Sequence, residues 1–70
     1  MTAKEMSDIV RANLHKNVKI TYQSGETDVA VVITVDDEGF VYSLTTLAPG
    51  IRETEFWTSF LEISNIESEN

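Results

Sequence analysis

Ala3, Met6, Val10 and Leu14 recur at steps of three and four with Ile9 beside them, while Lys4, Asp8, Arg11 and His15 fall mostly on the other side. This spacing predicts an amphipathic helix over about residues 3–15. Thr2 and Glu5 form the pattern of a reciprocal capping box at its start, in which each side chain satisfies a backbone N–H. Asn17, after Lys16, is the expected left-handed residue at its end.

From Val18 the period becomes two. Val18, Ile20 and Tyr22 alternate with Lys19, Thr21 and Gln23, which predicts a strand over about 17–23, and Ser24-Gly25-Glu26 reads as a hairpin turn. Val29, Val31, Ile33 and Val35 share one face of the next strand, about 27–36, with Ala30, Val32 and Thr34 on the other, so its middle is apolar on both sides and it should be central. Asp36-Asp37-Glu38-Gly39 is an acidic turn, with Gly39 expected to supply a positive φ, before a third strand over about 39–46. Residues 45–52, holding Pro49-Gly50, read as a loop, and a fourth strand is predicted over about 53–61. Ile63-Ser64-Asn65-Ile66 reads as one tight turn leading to a brief terminal strand, about 65–69.

Seventy residues leave room for one domain. A chain of this length buries only roughly 60% of its unfolded surface, so it gains from a partner subunit. The net charge is −7, which opposes phosphate at long range unless the positive residues are gathered. They are partly gathered: Lys4, Arg11, Lys16 and Lys19 precede position 21 beside only Glu5 and Asp8, whereas the remainder holds Arg52 against ten acids. Without cysteine there is no disulfide, thiolate or Cys-ligated zinc, and the longest apolar run, Val29 to Ile33, is too short for a signal peptide or a spanning helix. The expectation is a soluble cytoplasmic protein with no membrane contact.

One capped helix followed by a strand meander, a tight turn and a short last strand predicts a mainly β fold, a small five-stranded SH3-like open barrel. The layout, with two local stretches, resembles the Sm and LSm proteins over nearly the whole chain. The first stretch, Val35-Asp36-Asp37-Glu38-Gly39-Phe40-Val41-Tyr42-Ser43-Leu44, is similar to the family's first motif, with Asp36 at the motif aspartate and Phe40 at the motif asparagine. The second, Ser59-Phe60-Leu61-Glu62-Ile63-Ser64-Asn65-Ile66, is similar to the second motif, although Glu62 stands at the RNA-contacting basic residue and Ile63 at the glycine. SH3-like and Tudor-like barrels share the layout. The resemblance implies a homo-oligomeric ring of about five to seven subunits, the fourth strand of one pairing with the fifth of the next. It also implies candidate nucleic-acid contacts at Asp36, Phe40, Ser64 and Asn65, and candidate interface residues at Phe56, Trp57 and Ile66.

No enzyme signature is present: His15 has no nucleophile motif, and zinc would require a second His or a Cys. Asp36, Asp37 and Glu38 read as a solvated turn, since a calcium loop needs about six spaced ligands. No cofactor or metal is expected. Phe40 reads either as a ring on which a base stacks or as the first inward residue of its strand, in register with Tyr42 and Leu44. Lys4 and Arg11, seven apart on one helix face, read as a phosphate-facing pair or as a solvated face.

Two functions follow. The leading one is a non-enzymatic Sm-like ring that binds single-stranded RNA, or single-stranded DNA, in processing or chaperoning. The alternative is an acidic homo-oligomeric scaffold on the same barrel, with protein partners and no nucleic acid, supported by the net charge, Glu62 and the missing motif asparagine.

Overall fold

A computed structural model of the chain describes residues 1–44 and 55–69. Helix α1 spans Ala3–Ala12, followed by strands β1 (Asn17–Tyr22), β2 (Thr27–Val35), β3 (Gly39–Leu44) and β4 (Glu55–Ser59). A 3-10 helix at Phe60–Glu62 then leads into β5 (Ile63–Ser68). The five strands form one antiparallel open sheet in the order β4-β3-β2-β1-β5, so β2 is central, as its two-sided apolar pattern predicts. Irregular register at Thr21/Tyr22 and at Val32/Thr34 bends the sheet, as bulges do.

The capping box closes as expected: the Thr2 N–H donates to Glu5 Oε1 at 3.2 Å and the Glu5 N–H to Thr2 Oγ1 at 3.1 Å. These bonds, the one to the Thr2 backbone first, hold the Glu5 carboxyl below its ordinary range. Met6 and Val10 are buried against the sheet, with Ile9 partly so. The core they complete comprises Val18, Ile20, Ala30, Val32, Phe40, Phe60, Ile63 and Ile66. In β2 the fully buried side is therefore Ala30 and Val32, the smaller of its two apolar faces, and Val29, Val31, Ile33 and Val35 are half-buried.

Three features differ from the sequence reading. The helix ends at Ala12 because Asn13 caps it: its Nδ2 donates to the Ile9 carbonyl at 2.7 Å, and its Oδ1 accepts from Ser68 Oγ at 3.0 Å, tying the helix end to β5. The left-handed residue is His15, at φ 62°, not Asn17, and Leu14, counted with the buried stripe, is exposed. The His15 N–H donates to the Val32 carbonyl at 2.8 Å, fixing the reversal into β1.

The second difference is at Gly39, which does not adopt a positive φ; glycine is needed there because a Cβ would lie 2.0 Å from the Thr58 carbonyl oxygen. In the third, β4 ends at Ser59 and the tight turn comes at Phe60–Glu62, so β5 starts at Ile63 and is six residues long rather than brief. The expected loop over 45–52, the end of the third strand and the start of the fourth lie outside the described residues.

Candidate functional site

The acidic turn between β2 and β3 is organised by Asp36. Its Oδ1 accepts the N–H groups of Glu38 and Gly39, both at 2.7 Å, and its Oδ2 accepts the Trp57 indole N–H at 3.0 Å. One carboxylate thus closes the turn and fastens β4 to it. The Glu38 N–H, with help from Trp57 and the Gly39 N–H, holds the Asp36 carboxyl below its ordinary range. A depressed folded-state pKa stabilises the fold above the ordinary carboxylate range, and that contribution is lost as pH falls through the folded value. Asp36→Asn keeps an oxygen for the turn but loses the second anionic acceptor opposite Trp57. The expected result is a turn that survives, a Trp57 emission altered at neutral pH, and an acid transition less steep than the parent's; fluorescence-monitored acid titration of both proteins checks it, and superposable curves would contradict this role for Asp36.

The two helix cations have acidic partners. Lys4 Nζ lies 3.6 Å from Asp8 Oδ2, and Arg11 Nη2 lies 3.6 Å from Asp37 Oδ1, with Arg11 Nε donating to Ser7 Oγ at 3.2 Å. These pairs are solvent-exposed and weak, yet they set carboxylates beside the charges expected to meet phosphate.

Phe40 is 0% exposed, its ring centroid 5.7 Å from that of Tyr42 and 5.8 Å from that of Phe60. It is a core residue, and a ring so enclosed offers no face to a base. Ile66, expected at an interface, is likewise buried in the chain's own core. Ser64 and Asn65 are half-buried and engaged locally: Ser64 Oγ donates to the Thr21 carbonyl at 3.2 Å, sealing the β1–β5 irregularity, and Asn65 Nδ2 donates to Glu67 Oε1 at 3.2 Å. Of the candidate contacts, Arg11 and the Asp36 turn are brought together, with the Asp37 carboxylate beside the guanidinium and Phe40 enclosed in the core.

Phe56 and Trp57 are exposed, at 38% and 52%, on β4 at the sheet's edge. Phe56 also stacks inward against Tyr42, at 5.7 Å between centroids. The Tyr22 hydroxyl donates to the Tyr42 hydroxyl at 3.1 Å. Burial first, then hydrogen bonding with Tyr42 and Asp28, pushes the Tyr22 phenol above its ordinary range.

A groove of about 390 Å³ opens between the start of α1, the acidic turn and the 3-10 helix, lined by Ala3, Asp37, Glu38, Ser59, Phe60 and Leu61. Leu61 is 84% exposed. The strand pattern conceals this residue, because Phe60 points inward whether the chain continues as a strand or turns. The signal is Ser59, whose Oγ accepts the Leu61 N–H at 3.1 Å as a helix-starting residue does.

Among the described residues, no three His, Asp or Glu side chains are grouped closely enough to hold a metal ion, and no helix is long and apolar enough to cross a membrane. Comparisons with protein-family models, with curated proteins and with solved structures each find no match to this chain.

Proposed function

We propose that this chain is a divergent Sm-like open barrel that works without catalysis as an acidic, self-associating scaffold for protein partners. The observation that carries the reading is the pair of sheet-terminal strands: among the described residues β4 and β5 each have one paired side, and β4 presents Phe56 and Trp57 to solvent. An edge of this kind is a template for another strand, and joining β4 of one copy to β5 of the next satisfies both edges in a closed ring. That arrangement is also what the Sm resemblance implies. The choice of protein over nucleic acid rests on charge and burial, namely −7 per copy, Lys4 and Arg11 beside carboxylates, and Phe40 inside the core.

Light scattering at micromolar concentration is expected to give about five to seven copies. On dilution Trp57 should change its emission as the assembly separates. A stable monomer throughout would overturn the scaffold. In parallel, short homopolymer RNA and DNA are expected to show no salt-sensitive retention, either with the parent or with Glu62→Arg, which places a basic residue where the second motif of the resembled family has one. Retention by the parent that weakens with salt, by roughly 0.7 in the log–log slope per phosphate neutralised, would make nucleic acid the ligand, whereas retention by Glu62→Arg alone would only set position 62 on a path that nucleic acid can reach.

A further inference from the structure

We propose that the groove beside the 3-10 helix is the docking site for a basic peptide segment with an apolar anchor, supplied by a partner protein. This rests on the scaffold reading and identifies the chemistry of its partner.

The first support is the placement of Leu61. Ile20, Ile63 and Ile66 are 1% exposed or less, whereas Leu61 stands 84% exposed at the wall of a groove that also holds Ala3 and Phe60. Nor is it on a loose loop. The Phe60 N–H donates to the Glu38 carbonyl at 3.0 Å, the Leu61 N–H to Ser59 Oγ at 3.1 Å, and the Gln23 N–H to the Glu62 carbonyl at 2.8 Å. The turn is thereby held to both neighbouring hairpins, and the apolar wall is set in place before anything binds, which lowers the ordering cost of association. The groove's volume lies within the usual range for ligand pockets, about 300–1,000 Å³, at its smaller end, suited to one or two side chains.

The second support is charge. The rim is formed by Asp37 and Glu38, both exposed, with exposed Glu62 next to Leu61 in the chain. A phosphate-bearing ligand meets the Asp37 and Glu38 carboxylates there, whereas a Lys or Arg beside the anchor finds complementary potential locally and from the −7 of the whole chain. Arg11 shows that this rim accepts a guanidinium, since its Nη2 lies 3.6 Å from Asp37 Oδ1 while the Asp37 side chain remains fully exposed. A second copy of this chain brings the same acidic turn and is the less complementary occupant.

The test uses the assembled full-length protein and a fluorescein-labelled hexapeptide of two central leucines flanked by arginines. Control peptides replace the arginines by glutamates or the leucines by serines. The expected result is salt-sensitive binding of the first peptide alone, with amide resonances of Glu38, Ser59 and Leu61 shifting. Leu61→Ser should weaken binding about tenfold or more, as loss of a central apolar anchor does. Asp37→Asn and Glu38→Gln should weaken it less and flatten the salt dependence. Each replaced side chain is exposed, so assembly and melting temperature should stay at parent values; a monomeric parent would strike the scaffold reading, independently of the groove. No binding at low salt, undiminished binding by Leu61→Ser, shifts confined to Phe56 and Trp57, or Leu61 resonances that move with protein concentration alone would each overturn the proposal.

Discussion

Gly39→Ala is expected to lower the melting temperature by roughly 4–24 °C, although it adds a single methyl group. The added Cβ would lie 2.0 Å from the Thr58 carbonyl oxygen, 2.9 Å from the Thr58 carbonyl carbon and 2.8 Å from Trp57 Cζ2. Two of these atoms belong to the backbone of β4, which pairs with β3 through Gly39 opposite Ser59, so relief requires the strands to part. Forced overpacking costs about 1–3 kcal/mol, and in a domain of this size each kcal/mol moves the midpoint by roughly 4–8 °C. Because Asp36 and Trp57 bridge the same junction, the displaced β4 should also lose its fixed indole and, on the scaffold reading, part of its self-association.

Gly25→Ala is the control. Gly25 has φ 94° and nothing within 4 Å of an added Cβ, so the cost there is backbone strain of about 1–2 kcal/mol with no effect on β4. Thermal melts of the two variants, with light scattering, separate the mechanisms. A Gly39→Ala protein that melts within two or three degrees of the parent would show that β4 does not press on Gly39.

That glycine shows where the sequence is legible and where it is not. A glycine after an acidic run signals a turn, which is what β2 and β3 make, but the sequence does not reveal whether it is chosen for its φ or for the space it leaves. Space is a property of the neighbouring strand, 20 residues away at Ser59. The helix start is written locally in Thr2 and Glu5 and is read correctly. Its end is not, because Asn13 acts through Ser68 at the far end of the chain.

Strand alternation places β1, β2 and the β2–β3 hairpin, yet it carries no information on the β1–β5 pairing, which needs the bent sheet to bring residues 18 and 68 together. The same limit applies to function. Asp36 is visible as a motif position, and the structure gives it three hydrogen bonds within the chain; Leu61 is hidden in an apparent strand and proves the most exposed of the large apolar side chains described.

Phe40→Ala is expected to have the largest effect of any substitution considered, a loss of about 3–5 kcal/mol, the usual range for deleting a buried phenyl ring. Phe40 is fully enclosed, sits opposite Val35 in β2 and Thr58 in β4, and packs between Tyr42 and Phe60. Small domains hold only about 5 kcal/mol or a little more in total, so the variant should be largely unfolded or melt near room temperature by circular dichroism. Phe40→Leu, which leaves most of the volume filled, should fall between the variant and the parent.

These two substitutions also decide between the readings of position 40. A ring held out for base stacking behaves oppositely: removing it leaves stability within about half a kcal/mol and abolishes retention of single-stranded RNA, at roughly 1–3 kcal/mol per stacked base. A Phe40→Ala protein with the parent's melting temperature would therefore remove Phe40 from the core and reopen the nucleic-acid function. Graded destabilisation from Phe40→Leu to Phe40→Ala would instead fix the ring as the pin between β3, the 3-10 helix and the groove wall, since Phe60, its partner at 5.8 Å, is the residue that precedes Leu61.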